Sequence, residues 1–144
     1  MPPTHLPPRP PTDTGTDTHA LRLPAEDISV PQARHWLDRW LRERGASPEL
    51  REQAALVLSE LATNAVTHTD STWILCAVAH SACGGVQVEV HEDDTSSREP
   101  KRRAPTEEKE SGRGLYIVEA LAQRWGVTVS PVTQGNAVWA LLQG

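Results

Sequence analysis

Several residue types that build cores and metal sites are scarce in this chain of 144 residues. It has no phenylalanine, one tyrosine, one methionine and two cysteines. Cys76 and Cys83 are not spaced as C-x-x-C, and there is no second pair, so the sequence excludes a cysteine-based zinc site. We expect both cysteines to be reduced thiols in or near a strand, because disulfides are rare in a reducing compartment.

Long apolar runs and an excess of basic residues are also absent. No apolar run approaches the roughly 18 residues that a membrane helix needs, and the N-terminus lacks the apolar segment of a secretory signal. The net charge is −5, whereas nucleic-acid-binding domains usually carry a basic patch or balance. The composition, with 38% hydrophobic and 23% charged residues, is that of one ordinary globular domain. We therefore expect a cytoplasmic protein that binds neither membrane nor nucleic acid directly.

The N-terminal third of the chain divides into a tail and a helical region. Residues 1–18 are rich in Pro and Thr and poor in apolar side chains, which predicts a disordered tail. A short strand is expected at His19–Leu23. A first helix should begin near Pro31, which suits a first helical turn, and end at Gly45. Its apolar residues recur at helical spacing and are Ala33, Trp36, Leu37, Trp40 and Leu41.

The middle of the chain predicts a second helix and two strands. Ser47 precedes Pro48 and is a good N-cap for a helix that runs to about Thr69. Residues 73–79 are apolar and indicate a strand, and the Cys-Gly-Gly sequence at 83–85 indicates a hairpin-like turn. The valines that follow alternate with polar residues, which predicts a half-buried strand. They are Val86, Val88 and Val90.

The last third of the chain begins with a long polar segment. Residues 92–112 are highly charged and contain two prolines, and a loop of this length in a compact domain is either functional or disordered. After it comes a helical pattern that we expect Gly126 to close. The last two strands are predicted at Val127–Ser130 and Ala137–Leu142, with a turn around residues 134–136 between them.

Three polar residues form a stripe along the second helix. Glu60, Asn64 and His68 are four residues apart, so they lie on one helix flank, at the border of the apolar face. A carboxylate at such a border loses solvation unless it has a partner, which makes the stripe a candidate site. Judged on spacing alone, a solvated helix flank with an ordinary contact between Glu60 and Asn64 is the better interpretation, and a single boundary histidine is more often structural.

Four segments resemble motifs of the GHKL superfamily of ATP-binding proteins. L-V-L-S-E-L-A-T-N-A-V-T-H, from Leu56 to His68, resembles its N-box, and S-G-R-G-L-Y-I-V-E-A-L-A-Q-R-W-G, from Ser111, its second glycine box. V-E-V-H-E-D-D-T occupies the place of the first glycine box, and N-A-V-W-A-L-L that of the closing strand. The four segments together span roughly residues 19–142. Their order and spacing are similar to those of the anti-sigma-factor serine/threonine kinases of actinobacterial type.

This resemblance implies an α+β fold for residues 19–144. In the superfamily the fold is a two-layer α/β sandwich, the Bergerat ATP-binding fold, with a mixed sheet and helices on one face. ATP would lie between the helices and a flexible lid. By motif, Asn64 would bind Mg²⁺ through its amide oxygen, and Glu60 would orient or deprotonate the attacking hydroxyl.

The resemblance also implies a set of nucleotide-binding residues. Backbone N–H groups at the second glycine box and the following helix N-terminus would approach the phosphates, and Arg113 would offset their charge. Lid cations would add to this, although each taken singly is more often a solvated charge. The nucleotide-binding candidates are Asn64, His68, Glu92, Asp93, Gly112, Arg113, Gly114 and Leu115, and the lid cations are Arg98, Lys101, Arg102 and Arg103.

The chain departs from the family pattern at two positions, both linked to adenine. Glu92 stands where the family usually has the Asp that reads the adenine amino group, so either Glu92 reaches further or a bulge brings Asp93 into place. Ala137 stands where the family commonly has Thr. The lost hydroxyl corresponds to roughly 0.5–1.5 kcal/mol of hydrogen bonding. We expect these departures to affect adenine recognition more than phosphate or Mg²⁺ binding.

Two functions from different classes fit this pattern. The first is a serine/threonine protein kinase and anti-sigma factor, whose partners are a sigma factor and an anti-sigma-antagonist protein. The alternative is a catalytically weak or inactive nucleotide-sensing module that sequesters a regulatory partner. A histidine-kinase catalytic domain fits less well, because no phospho-accepting helix pair precedes residue 19, and His35 is followed by Trp36 instead of an acidic residue. Topoisomerase or chaperone ATPases would need further domains, and a homodimer is left open.

Overall fold

Five strands and two long helices make up most of the described chain. The structure is a computed structural model that describes residues 16–81, 84–95 and 116–143. Along the chain, the elements are β1 (Thr16–Pro24), α1 (Ser29–Glu43), α2 (Pro48–His68), β2 (Trp73–Ser81), β3 (Val86–Glu92), a short helix α3 (residues 116–121), β4 (Arg124–Val129) and β5 (Asn136–Leu142). None of the helices in these ranges is long and apolar enough to span a membrane.

The strands form one sheet in the order β1-β2-β3-β5-β4. Every pair of neighbours is antiparallel, so the sheet is not mixed as the resemblance implied, at least among the described strands. β3 and β4 do run in the same direction, but β5 lies between them and pairs with both. The expected α+β architecture is confirmed.

The core lies between the helices and one face of the sheet. α2 packs against α1 and against β3, and its apolar face contains Ala54, Val57, Leu58, Leu61, Ala62 and Ala65. The sheet contributes the alternate residues of β2 and β3, which are Ile74, Cys76, Val78, Val86, Val88 and Val90. Val118 of α3 joins the same core. This arrangement follows from the helical and two-residue periods of the apolar residues.

The predicted ends of α1 and α2 are confirmed. α1 starts at Ser29 with Pro31 in its first turn, and it ends two residues before Gly45. The Ser47 hydroxyl accepts a hydrogen bond of 3.1 Å from the Leu50 N–H, which caps α2. The two helices are joined by an ion pair of 3.1 Å between Asp38 and Arg51.

Cys76 is a buried free thiol in β2, as expected. Burial raises its pKa to about 12, because the apolar surroundings disfavour a thiolate. Since only the thiolate is reactive, this cysteine acts as a small core residue. Cys83 lies outside the described residues.

Several boundaries differ from the sequence prediction. β2 continues to Ser81 and β4 begins at Arg124, and β1 occupies the last three residues of the tail that was predicted to be disordered over residues 1–18. β1 begins at Thr16, three residues before the expected start, because its pairing with β2 continues to Ser81. Gly126 does not close a helix but lies within β4, opposite Trp139 of β5. A Cβ atom at Gly126 would lie 2.9 Å from the Trp139 indole. The glycine is needed there for the close approach of that ring.

β3 also differs, because it is buried along its whole length instead of on one side only. Its polar residues Gln87, Glu89 and His91 are 1–3% exposed on the face opposite the helices. They tolerate burial because they bond to one another. The Gln87 amide donates to Glu89 over 2.8 Å, and Glu89 lies 2.9 Å from the His91 ring.

Candidate functional site

Glu60 and Asn64 lie one turn apart on the flank of α2, beside its buried face. Both side chains are half-buried. Neither has a hydrogen-bond or ion-pair partner in the part of the chain that the structure describes. Both side chains are only partly removed from solvent, so water can satisfy their polar atoms and a ligand can reach them. The roles of Glu60 in catalysis and of Asn64 in Mg²⁺ binding stay predictions.

His68, the third member of the stripe, is the last residue of α2 and is exposed. The structure thus brings Glu60 and Asn64 together in one environment and leaves His68 at the helix end. Its role in nucleotide binding stays a prediction.

The chain that follows α2 is held by three consecutive acidic residues at the end of β3. The Asp94 carboxylate accepts a hydrogen bond of 2.9 Å from the Asp70 N–H. The Asp93 carboxylate accepts from the Thr72 N–H at 2.8 Å, the Thr72 hydroxyl at 2.5 Å and the Trp73 N–H at 3.4 Å. Partial burial acts to raise the pKa of Asp93, but these donors outweigh it and lower the pKa. Asp93 therefore faces the start of β2.

Glu92 points in a different direction from Asp93 and is 7% exposed. Its carboxylate accepts hydrogen bonds from the Asp94 N–H at 2.6 Å, the Asn136 N–H at 3.3 Å and the Ser71 hydroxyl at 3.3 Å. Burial raises the pKa of Glu92, although these three donors oppose the shift. Of the two residues weighed for the adenine contact, Glu92 is the one directed toward β5, and its role in that contact stays a prediction.

The turn between β4 and β5 packs directly on Glu92. The Thr133 hydroxyl donates to the Glu92 backbone oxygen over 2.7 Å and accepts from the Gly135 N–H over 3.2 Å. A Cβ atom at Gly135 would lie 2.1 Å from that same backbone oxygen, so no other residue fits there. The turn at residues 130–135, the end of β3 and Ser71, whose hydroxyl bonds to Glu92, thus form one wall.

Ala137 does not lie on this wall, which corrects the sequence prediction. It pairs with His91, and directly opposite residues share one face of a sheet. Ala137 therefore lies on the face opposite the helices, while Glu92 lies on the helix side with Val90. The residue of β5 that contacts Glu92 is Asn136.

Sequence reasoning missed four residues of this wall: Ser71, Ser130, Thr133 and Asn136. Hydroxyl and amide residues in turns are common, so no local signal distinguishes them. The period of β3 did carry a signal, because it places His91 and Glu92 on opposite faces of the strand.

The remaining predicted nucleotide-binding residues fall outside the described ranges. These are Gly112, Arg113, Gly114 and Leu115, together with the lid cations Arg98, Lys101, Arg102 and Arg103. Their roles stay predictions. The helix expected after the second glycine box is present in the structure as α3.

An open cavity of about 480 Å³ lies elsewhere, at the ends of β1 and β2. It is lined by Arg22, Leu23, Pro24, Thr72 and Trp73, and the Arg22 guanidinium lies 4.0 Å from the centre of the Trp73 ring. No stripe residue lines it, so this cavity is distinct from the α2 flank.

Comparison with known proteins agrees with this geometry. A family model described as the histidine kinase-like ATPase domain matches residues 23–142, a range that contains α2 and the whole wall at Glu92. No curated protein matches the chain at a significant level. Since the match covers most of the chain, the family is established, and ATP binding is the activity that it implies. The chain belongs to the histidine kinase-like ATPase domain family.

Proposed function

We propose that this protein is a cytoplasmic, ATP-dependent serine/threonine protein kinase and anti-sigma factor that acts on an anti-sigma-antagonist protein. One observation carries the proposal: Glu60 and Asn64 are half-buried, one helical turn apart, and without a partner among the described residues. Membership of an ATPase family gives a reason for this pair to be free of partners among the described residues, since the two side chains can then bind nucleotide and metal.

The chemistry of the two side chains fits phosphoryl transfer. The Asn64 amide oxygen is a hard, neutral ligand that suits Mg²⁺ shared with phosphate oxygens. When bound, Mg²⁺ would neutralise charge on the transferred phosphoryl group. Glu60 is one turn away and carries the carboxylate that orients the attacking Ser or Thr hydroxyl and accepts its proton. Positioning and charge stabilisation supply most of the catalysis in such reactions.

Glu92 retains the capacity to recognise adenine. A carboxylate has about four acceptor positions, and three of them are used by Asp94, Asn136 and Ser71. One acceptor position remains for an exocyclic amino group. Adenine presents such a group and guanine presents a carbonyl at the same ring position, so this contact favours ATP over GTP.

A second candidate function is a nucleotide-sensing module without catalysis. The observation that favours it is also at Glu92, whose carboxylate is largely occupied by donors of the protein itself. Weak nucleotide binding would then be sufficient to regulate the capture of a partner.

The two functions are separated by a transfer experiment. The full chain is used to capture partners with and without Mg-ATP, and the recovered proteins are identified by mass spectrometry. Labelled ATP is then added to the complex. A kinase labels Ser or Thr of a recovered partner, whereas capture of a partner without label on any recovered protein contradicts the kinase and leaves the sensing module.

A further inference from the structure

The Ser130 hydroxyl at the end of β4 is buried and contacts three groups. It accepts hydrogen bonds from the Val132 N–H at 3.1 Å and from the Thr133 N–H at 3.0 Å. It also lies 2.7 Å from Nδ1 of His91, which is 3% exposed. These contacts determine where the protons lie.

A hydroxyl has one hydrogen and two acceptor lone pairs. The two backbone N–H groups use both lone pairs of Ser130, so its hydrogen is donated to His91 Nδ1. Nδ1 is then an acceptor, and the neutral ring carries its proton on Nε2. That nitrogen lies 2.9 Å from a Glu89 carboxylate oxygen, to which it donates.

The same turn reaches the opposite face of β3. Ser130 fixes the N–H groups of Val132 and Thr133, and the Thr133 hydroxyl in turn donates to the Glu92 backbone oxygen. His91 and Glu92 are adjacent in β3 and point to opposite faces, so the turn between β4 and β5 is held from both sides of the strand.

We propose that His91, kept as the neutral Nε2–H tautomer by Glu89 and Ser130, is a positioning residue for nucleotide binding. Through Ser130 it positions the turn that holds Glu92. This role rests on the proposed contact between Glu92 and adenine. Breaking the link from His91 to Ser130 removes one buried hydrogen bond. This corresponds to a loss of about two- to tenfold in ATP affinity.

Two substitutions at position 91 test separately the hydrogen bond from His91 to Glu89 and the one from Ser130 to His91. His91→Asn keeps an acceptor in the place of Nδ1 and removes the donor to Glu89. His91→Gln keeps a donor in the place of Nε2 and removes the acceptor of Ser130. Ser130→Ala removes the hydroxyl itself. ATP affinity of the full chain is measured by calorimetry, and folding is monitored by thermal unfolding.

We expect His91→Gln and Ser130→Ala to bind ATP two- to tenfold more weakly than the parent, and His91→Asn to lose less affinity than His91→Gln. The double variant His91→Gln/Ser130→Ala should bind no more weakly than Ser130→Ala alone, because both changes break one link. Equal losses for His91→Asn and His91→Gln would show a merely structural role and overturn the proposal.

The tautomer is measured independently by ¹⁵N NMR of the parent protein, which is unaffected by any failure of a variant to fold. A proton on Nε2 alone is expected, and a proton on Nδ1 would overturn the proposal. A parent that does not bind ATP would overturn the proposed function. A parent that binds ATP while all three variants bind it equally well would overturn only the role of His91.

Discussion

The flank of α2 and the acidic end of β3 both carry polar side chains at the border of the core, but they satisfy them differently. Glu60 and Asn64 have no partner among the described residues, whereas Glu92 and Asp93 each accept three hydrogen bonds from the protein. The proposed function therefore assigns the first region to ligand binding. In the second region, Glu92 uses three of about four acceptor positions to hold the fold and leaves one for a ligand.

The largest effect is expected for Glu60→Gln. This change keeps the size of the side chain and removes its ability to accept a proton, so phosphate transfer to the partner should fall by about 10²–10⁴-fold. ATP binding and thermal stability should stay at the level of the parent. Transfer is measured with labelled ATP, and Glu52→Gln, an exposed position two turns earlier on α2, is the matched control. Transfer at the parent rate would remove Glu60 from its role.

Asn64→Ala should weaken Mg²⁺-dependent ATP binding by about tenfold or more, which corresponds to about 1.4 kcal/mol or more. The free energy of unfolding should not fall, because the amide has no partner to lose within the described chain. Calorimetry with and without Mg²⁺ measures the first quantity and urea unfolding the second. Thr63→Ala, at an exposed neighbour, is the control. Unchanged Mg-ATP affinity in Asn64→Ala would contradict the proposed role of Asn64 in binding Mg²⁺.

Unlike Asn64→Ala, Glu92→Ala should lower the free energy of unfolding by about 1–3 kcal/mol in addition to any loss of ATP affinity. The reason is that the partly buried N–H groups of Asp94 and Asn136 lose their acceptor. Urea unfolding measures this, with Glu26→Ala at an exposed position as the control. If Glu92→Ala is as stable as the parent, the acidic end of β3 does not hold the fold.

The smallest effects are opposite pH dependences at the two adjacent acids. The pKa of Glu92 is raised from 4.5, so the folded chain holds this proton more tightly, and stability falls as pH rises through the raised pKa. The pKa of Asp93 is lowered from 3.8, so its contribution is present above 3.8 and is lost as pH falls through the lowered pKa.

These dependences are measured by thermal unfolding between acidic and neutral pH. Glu92→Gln should remove the decline with rising pH, and Asp93→Asn should remove the loss at low pH. Slopes that change in the same direction in both variants would contradict the different environments of the two carboxylates.

Local signals in the sequence were sufficient for α1 and α2. Ser47, Pro31 and Gly45 mark their ends by chemistry that acts within one turn, and the apolar periods correctly assign the core faces of α2 and β3. The polar border at Glu60 and Asn64 was visible for the same reason, because helical spacing fixes which residues share a flank.

Long-range contacts were not visible in the sequence. Gly126 was predicted to end a helix. The glycine is in fact required because the Trp139 ring of the neighbouring strand lies against it, and that contact is not visible in the local sequence. The polar row of β3 was expected to be exposed, because nothing in its local pattern shows that Ser130, 39 residues later, would bond to His91. The face on which Ala137 lies could not be predicted, because the register of β3 with β5 decides it.

The burial of β3 on both faces has a consequence for how the chain reaches its fold. The valines at 86, 88 and 90 require the helix side, and the row of Gln87, Glu89 and His91 requires the other side. A slip of one residue in strand pairing would exchange the two rows. It would place a carboxylate and an imidazole in the apolar core and separate His91 from Ser130. Two costs then oppose a slip of one residue, so β3 contains its own safeguard against pairing in that register, within this chain or with another chain.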